Sequence, residues 1–209
     1  MYVPRHFATD ERSALVELLE LTPLVQLVSM TADGLVATAL PMLLVEDDAG
    51  LRLQGHVARA NEHWKCIDPS VDSLVIVSGP DAYISPNNYP TKTQTHEVVP
   101  TWNYEAVHAT GSLIVHDDPT WVHDLVTRLT DRHEAGRANP WAVADAPVDY
   151  IALRLRGIVG VELVVHGLEA KAKLSQDKVD ADQRGVRSGL AEGDATDRLV
   201  AERMARHAD

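Results

Sequence analysis

The sequence predicts an α+β fold that is mainly β, in which an antiparallel sheet is flanked by helices. Apolar runs of strand length follow one another with turn residues between them, whereas a parallel sheet would need alternating helices. No G-x-G-x-x-G motif follows a strand, which argues against a dinucleotide-binding Rossmann fold. Hydrophobic residues make up 45% of the 209 residues and charged residues 24%, as in ordinary globular domains. A closed barrel would remove the edges of such a sheet.

The first quarter of the chain predicts one helix and three strands. Asp10 offers a capping oxygen ahead of residues 11–21, where leucines recur at helical spacing. The three strands are separated by turn residues, and they span residues 24–30, 35–45 and 51–54. Pro41 lies inside the second strand and has no N–H to donate, so it predicts a sheet edge or a β-bulge.

The central part of the chain predicts a short helix and two strands with a long loop between the strands. Residues 58–67 are polar and predict a helix that ends before Pro69. Residues 72–78 and 101–115 are rich in apolar and β-branched side chains and predict strands. Residues 79–100 carry four prolines and little periodicity, so they predict a loop without regular structure, of a length typical of functional loops.

The second half predicts a helix, two strands and a helical tail. Pro119, preceded by an aspartate, is a strong helix start, and an apolar face follows it at helical spacing. Residues 150–165 predict two strands that meet at glycines. Residues 168–209 are highly charged and predict helices that are interrupted at Gly185 and Gly189.

Charge and cysteine content exclude several classes of protein. The formal net charge of −12 works against non-specific binding to nucleic acid or to an anionic membrane. Cys66 is the only cysteine, which excludes an intramolecular disulfide and a zinc site built from cysteines. No apolar run is long enough to span a membrane and no signal-peptide pattern is present, so we expect a soluble, cytoplasmic protein. P-loop, G-x-S-x-G and H-E-x-x-H motifs are also absent.

Residues 55–64 form the first of three polar segments suited to binding a ligand. The segment contains Arg59, Asn61, His63 and Trp64. An arginine and an amide near a helix start suit an anionic group, and the two rings suit a flat ligand. The alternative is a polar surface helix that is anchored in the core by Trp64.

The second and third segments lie later in the chain. The second contains Thr101, Trp102 and Asn103, which combine hydrogen-bonding groups with an aromatic ring; the alternative is simply an aromatic-rich strand. The third runs from Lys171 through Lys173 and Ser175 to Gln176. Lysines two residues apart project from one face of an extended segment, which suits a phosphate or a propionate; the alternative is a solvated charge cluster.

The order and spacing of these segments resemble the PaiB family, the FMN-binding negative transcriptional regulators. The resemblance runs from Met1 to about Leu190 and includes residues 1–7, 40–44, 55–64, 79–86, 99–104 and 173–176. It implies an FMN-binding split β-barrel of Greek-key antiparallel topology, over residues 1–167. Residues 168–209 would add a segment that contacts the cofactor, followed by the helical tail. The resemblance also implies a homodimer with cofactor sites at the interface.

The resemblance assigns roles to individual residues of the three segments. The FMN phosphate would be held by Arg59, Lys173 and Ser175. The ribityl chain or ring edge would be bonded by Asn61, Thr101 and Asn103. The isoalloxazine ring would pack beside Trp64 and Trp102, and further contacts would come from His63 and Gln176. Three positions depart from the family pattern: Glu62 replaces a common proline, Asn88 a common tryptophan and Asp177 a common asparagine. Glu62 and Asp177 add negative charge near the expected anion site.

A related branch, the piperazate synthases, binds haem b and forms a nitrogen–nitrogen bond from N5-hydroxyornithine. If this chain belongs to that branch, the candidate axial ligands are His56, His63 and His108. If it binds FMN, we expect a flavin-dependent oxidoreductase, or a metabolic or redox regulator that acts on transcription indirectly. Direct binding to DNA is disfavoured by the net charge and by the absence of a helix-turn-helix with a basic recognition helix. The sequence names no substrate beyond a small molecule.

Overall fold

The structure is a computed structural model that describes residues 1–207. Within this range the strands are β1 (Leu24–Thr31), β2 (Gly34–Asp47), β3 (Gly50–Ala58), β4 (Ser73–Ile84), β5 (Thr101–His116) and β6 (Ile158–Lys173). They form a closed barrel in the order β1-β2-β3-β6-β5-β4. The pairs β1–β2, β1–β4, β2–β3 and β3–β6 are antiparallel. The predicted mainly β, antiparallel α+β fold is therefore confirmed.

Helices connect and follow the strands. Among residues 1–207 the α-helices are α1 (Glu11–Leu21), α2 (His63–Cys66), α3 (Lys92–Thr95), α4 (Pro119–Glu134), α5 (Val148–Leu155), α6 (Asp180–Ala191) and α7 (Ala195–Arg206). Short 3₁₀ segments span Arg5–Phe7, Pro86–Asn88 and Val143–Asp145. The predicted start of α4 is confirmed, because the Asp118 carboxylate accepts a hydrogen bond from the Thr120 N–H at 3.1 Å.

The chain divides into two compact units. The first unit comprises Met1–Leu18, Ser78–Val107 and Glu169–Asp209, and the second comprises Leu19–Val77 and His108–Leu168. In the first unit, α6 and α7 bury an apolar face against the ends of β4 and β6; its members are Ala82, Ile84, Tyr89, Ala172, Leu174, Val186, Leu190, Val200, Ala201 and Met204. In the second unit, Leu125 and Leu129 of α4 pack on Leu43 of β2.

Strand β2 shows why a proline is tolerated within it. Residues 34–41 pair with β1, up to the pair between Pro41 and Leu24. From Met42 onwards the strand pairs with β3 instead. Pro41 therefore lies where β2 changes partner, a position at which a missing N–H costs little.

Strands β4 and β6 continue into segments that the sequence pattern assigned to other structures. Residues 79–84 were expected in an irregular loop, but they continue β4, with Ala82 and Ile84 buried and Tyr83 exposed. The prolines obscured this alternation. Residues 168–173 were expected to be helical, but they continue β6 with Ala170 and Ala172 buried. Both predictions were wrong.

Three helix predictions also differ from the structure. Residues 58–67 form a helix only over α2, because β3 extends to Ala58 and pairs there with Ile158. Residues 150–155, predicted as the start of a strand, lie in α5 instead, because a short apolar run does not distinguish the two. Helix α6 runs through both Gly185 and Gly189, where interruptions were predicted. Gly185 lets Asn88 approach, because a Cβ atom on Gly185 would lie 2.2 Å from the Asn88 carbonyl oxygen.

Candidate functional site

The structure places the predicted cofactor residues in two groups, one in each unit. The Arg59 cluster lies in the second unit and consists of Arg59, Asn61, His63 and Trp64. The Lys173 cluster lies in the first unit and consists of Thr101, Trp102, Asn103, Lys173, Ser175 and Gln176. Side-chain hydrogen bonds hold the members of each cluster in place, and each cluster lies at the end of a barrel strand.

The guanidinium of Arg59 is engaged by its own unit. Its Nη1 and Nη2 groups donate to the Asp117 carboxylate at 3.1 and 2.5 Å. Its Nε donates to the Arg156 carbonyl at 2.8 Å, and Nη2 also donates to the Ile158 carbonyl at 3.1 Å. The hydrogen bond with Asp117 raises the pKa of Arg59 and lowers the pKa of Asp117, so both groups are charged at neutral pH. Arg59 therefore ties the end of β3 to β6.

Asn61 and His63 have a common hydrogen-bond partner, the hydroxyl of Thr38 on β2. The Asn61 Nδ2 donates to Thr38 Oγ1 at 3.1 Å, and the His63 Nδ1 lies 2.8 Å from the same oxygen. The Asn61 Oδ1 also accepts from the His63 N–H at 2.9 Å, which fixes the start of α2. These contacts orient the imidazole before any ligand is present.

His63 carries a buried nitrogen that is not satisfied within residues 1–207. Its side chain is only 3% exposed, and its Nε2 has no hydrogen-bond partner in the described structure. Burial lowers the pKa of His63, so the ring is neutral at pH 7. An unsatisfied buried nitrogen is costly, and such atoms often mark a position where a ligand or a water binds.

Trp64 packs on the chain that precedes it. Its Nε1 donates to the Arg59 carbonyl oxygen at 3.1 Å, and the Lys65 ammonium lies 5.4 Å from the ring centroid. The indole is half-buried. Arg59 thus supports Trp64 through its backbone as well as anchoring β3 through its side chain.

In the Lys173 cluster the lysine is held by the neighbouring strand. The Lys173 Nζ donates to Thr101 Oγ1 at 2.6 Å and to the Trp102 carbonyl at 2.5 Å. Burial lowers the pKa of Lys173, although Asp177 acts in the opposite direction. Two of the three ammonium hydrogens are therefore used within the first unit.

The remaining members of the Lys173 cluster shape the turn after β6. Ser175 has a left-handed backbone, with φ of 67°, and its hydroxyl donates to the buried Asn103 Oδ1 at 3.0 Å. Gln176 folds back on β6: its Oε1 accepts from the Leu174 N–H and its Nε2 donates to the Ala172 carbonyl, both at 2.6 Å. A left-handed non-glycine residue held by buried hydrogen bonds is a strained position that is typical of functional sites.

Lys171, the first residue of the third polar segment, lies among aromatic rings. Its ammonium lies 5.1 Å from the ring of Tyr104, 5.9 Å from that of Tyr2 and 5.9 Å from that of Phe7. Within residues 1–207 no protein atom accepts a hydrogen bond from it. Lys171 therefore offers three free N–H donors beside an aromatic surface.

A pair of exposed rings continues this aromatic surface. Tyr83 of β4 and Trp102 of β5 meet edge to face with their centroids 5.9 Å apart, and the two side chains are 51% and 52% exposed. Trp102 projects from the same side of β5 as Tyr104, because residues two apart on a strand share a face, and Tyr83 lies on that side because it contacts Trp102. We call Tyr83, Trp102, Tyr104, Lys171 and Lys173 the ring–lysine face.

The other two candidate histidines have different environments. His56 is partly buried in β3, its Nδ1 has no partner within residues 1–207, and burial lowers its pKa. His108 is partly buried in β5. No group of three or more histidine, cysteine or acidic side chains in the described range is arranged to hold a metal ion.

Comparison with known proteins identifies the family. Residues 1–167 match the family model described as "Putative FMN-binding domain". The chain belongs to this FMN-binding domain family. It is also 30% identical, over 186 residues, to the "Protease synthase and sporulation protein PAI 2" of Bacillus subtilis, which covers 89% of this chain and 87% of that protein. The resemblance to the PaiB family is therefore confirmed.

Solved structures show the same barrel as this member of the FMN-binding domain family. The flavocytochrome Anf3 of Azotobacter vinelandii aligns with a TM-score of 0.58 at 16% identity, over 82% of this chain and 72% of that one. The FAD and haem binding protein of Mycobacterium smegmatis aligns with a TM-score of 0.57 at 18% identity, over 83% and 77%. At these identities the likeness concerns the fold, and it confirms the split β-barrel.

Within residues 1–207, no helix has the length and apolar character needed to cross a membrane.

Proposed function

We propose that this protein is a homodimeric FMN-binding oxidoreductase, and that any effect it has on transcription is indirect. Family membership supports a flavin, and the relatives with solved structures include proteins named for flavin and haem. The net charge of −12 supports an indirect role, because a protein of this charge is repelled by DNA at low salt.

The ring–lysine face is the observation that carries the proposal. FMN combines a flat tricyclic ring with a phosphate that is dianionic at neutral pH. Exposed rings of Tyr83 and Trp102 offer stacking surfaces, and the ammonium of Lys171 offers three unused donors. The residues present therefore fit both halves of the cofactor.

Within the proposal, the two clusters have different tasks. Lys171 binds the phosphate, and Lys173 adds positive charge while it fixes Thr101 and Trp102 in place. Ser175, Asn103 and Gln176 are positioning residues that hold the turn beside these lysines. The Arg59 cluster of the partner protomer covers the other side of the cofactor with Trp64, while Arg59 and Asn61 support Trp64 and His63.

Bound FMN supplies reversible transfer of one or two electrons. The chain contributes binding, orientation and exclusion of water. The ring–lysine face brings cationic groups near the cofactor, which favours negative charge on it.

Titration with FMN tests this proposal. Stacking on aromatic side chains quenches flavin fluorescence, so we expect quenching that saturates at one FMN per chain. Riboflavin, which lacks the phosphate, should bind more weakly because it does not engage Lys171. Absence of saturable quenching would contradict the proposal, and equal affinity for riboflavin would contradict the role of Lys171.

The outer face of the β1–β2 hairpin supports a homodimer. Directly opposed residues on this face are Leu24 with Pro41, Gln26 with Ala39, Val28 with Ala37, and Met30 with Leu35. Gln26 is the one polar member and none is charged, yet Leu24 and Leu35 are 61% and 73% exposed. We call these eight residues the β1–β2 strip. Two acidic chains repel each other, so a charge-free apolar strip is where two copies can meet at the least electrostatic cost.

Substituting Leu35→Glu is expected to convert the dimer into a monomer. The glutamate adds a charge to the centre of an apolar contact between copies, and it faces its symmetry mate if the strip packs on itself. Light scattering coupled to size-exclusion chromatography measures the mass. Val71→Glu, an exposed apolar residue of the same unit outside the strip, is the control and should remain dimeric. A Leu35→Glu dimer, or a monomeric parent protein, would contradict this assignment.

A haem b enzyme of the piperazate-synthase type is the second candidate, favoured by His63. Its Nδ1 can donate to the Thr38 hydroxyl, which leaves the lone pair of the unsatisfied Nε2 free for an iron. Titration with haem b, monitored by the Soret band, tests this candidate. The shift of the band on binding should be abolished in His63→Phe and retained in His56→Phe. An unchanged spectrum for His63→Phe would exclude His63 as the ligand.

A further inference from the structure

A cavity of about 460 Å³ lies in the second unit, beneath the first turn of α4 and beside α5. Its wall is apolar and is formed by Pro119 and Val122 of α4 and by Ala152 and Leu155 of α5, with Ile158 as its floor. This volume lies within the range of small-molecule sites, which are mostly apolar with a few polar groups that fix orientation.

Three charged side chains form the polar edge of this cavity: Arg59, Asp117 and Arg156. Arg59 and Asp117 neutralise each other through their two-point ion pair. The guanidinium of Arg156 makes no hydrogen bond or ion pair with any side chain or carbonyl in the described part of the chain. The edge therefore carries one uncompensated positive charge.

Helix α5 gives the cavity an adjustable wall. None of its residues is buried, and two more cavities border it on other sides. Leu155 is shared by all three cavities, so a small shift of α5 changes the width of the one beside Arg59. A helix with so few buried contacts can move to fit a ligand at low cost.

We propose that this cavity is a second small-molecule site that takes an apolar monocarboxylate. The apolar body would fill the space between α4 and α5, and the carboxylate would pair with Arg156. The single negative charge of a monocarboxylate would neutralise the positive charge of Arg156, whereas a cationic ligand would be repelled by it. The inference goes beyond the flavin proposal and does not depend on it, because the carboxylate would pair with Arg156, which is not among the residues proposed to contact FMN.

Three probes with one apolar body and different head groups test the proposal. The probes are 4-isopropylbenzoate, 4-isopropylbenzyl alcohol and 4-isopropylbenzylamine, titrated into the full chain by calorimetry with and without saturating FMN. We expect the carboxylate to bind at least about ten-fold more tightly than the alcohol, as a charge-assisted hydrogen bond predicts, and the amine most weakly. Saturating FMN should leave the affinity for the carboxylate unchanged.

Two variants and their matched controls locate the site. Arg156→Gln should weaken carboxylate binding by about ten-fold or more, whereas Arg154→Gln on the same helix should not. Ala152→Phe should abolish binding by filling the cavity, whereas Leu153→Phe, which borders none of the three cavities, should retain it. Circular dichroism confirms that each variant is folded.

Several outcomes would overturn the proposal. They are no binding of any probe, equal binding of carboxylate and amine, binding that survives Ala152→Phe, and competition between FMN and the carboxylate. The last outcome would assign the cavity to the cofactor instead. Because the FMN titration is independent, failure of this proposal is distinguishable from failure of the flavin proposal.

Discussion

Substituting Arg203→Met is expected to lower the free energy of unfolding by about 3–5 kcal/mol, the usual cost of breaking a buried ion pair. Arg203 of α7 is 3% exposed and Glu105 of β5 is 4% exposed. The guanidinium donates to both carboxylate oxygens of Glu105, at 2.6 and 2.8 Å, and to Glu17 at 2.5 Å. Without Arg203, Glu105 would remain buried with a weaker partner.

Urea unfolding of matched variants measures this loss. Arg198→Met on the same helix removes an exposed arginine, which bonds the Gly193 carbonyl, and should cost less than about 1 kcal/mol. The double variant Arg203→Met with Glu105→Gln should recover part of the loss, because no unpaired charge is then buried. A loss below about 1 kcal/mol for Arg203→Met alone would contradict the assignment of this pair as a buried ionic contact.

The same pair predicts a pH dependence. Burial alone would raise the pKa of Glu105, but hydrogen bonds from His207 and Arg203 outweigh it and hold this pKa below the ordinary value of 4.5. Because the pKa of Glu105 is lower in the folded state than in the unfolded state, its ionisation stabilises the fold at pH values above 4.5. This stabilisation is lost as the pH falls through the folded-state pKa. The difference in stability between the parent protein and Arg203→Met should therefore be full at pH 7 and shrink below pH 4.5.

Substituting Lys171→Met is expected to weaken FMN binding by about 10- to 100-fold, because one charge-assisted contact to the phosphate is lost. Methionine keeps the unbranched side chain against Tyr104 and Phe7, so packing of the N-terminal segment should persist. Affinity for riboflavin should hardly change. Fluorescence titration of both ligands separates loss of the phosphate contact from loss of the ring contact.

Two other lysines serve as comparisons for Lys171. Lys92→Met alters a partly buried lysine of the same unit, bonded to Asn87, and should leave FMN affinity unchanged. Lys173→Met removes the hydrogen bonds to Thr101 and Trp102 and should lower both the stability and the affinity for either flavin. If Lys171→Met bound FMN as tightly as the parent protein, the phosphate would have to be held elsewhere.

The parts of the fold with local signals could be predicted from the sequence. Asp118 and Pro119 start α4 as expected, and the turn before β2 places Gly34 at φ of 112°, which favours glycine. Where the sequence pattern was compatible with both helix and strand, tertiary contacts determined the secondary structure. Residues 150–155 lie in a helix, and residues 79–84 form a strand whose alternation is hidden by a proline.

From the sequence, the candidate site could be predicted only where its residues are close together along the chain. The pattern from Lys171 to Gln176 indicated two lysines on one face if the segment is extended, and both lysines lie on β6. The sequence did not distinguish Lys171 from Lys173, because Lys171 depends on Tyr2 and Tyr104, which are distant in sequence. The engagement of Arg59 by Asp117 was hidden for the same reason.

The cofactor that the purified protein carries decides whether the ring–lysine face is a flavin site. The protein is denatured, and the released chromophore is identified by its absorption spectrum and its mass. FMN binding predicts a yellow protein with two flavin bands in the near-ultraviolet and visible range, or a colourless protein that acquires them when FMN is added. A single intense Soret band with release of haem b, or failure to take up FMN at all, would contradict the claim that the ring–lysine face is a flavin site.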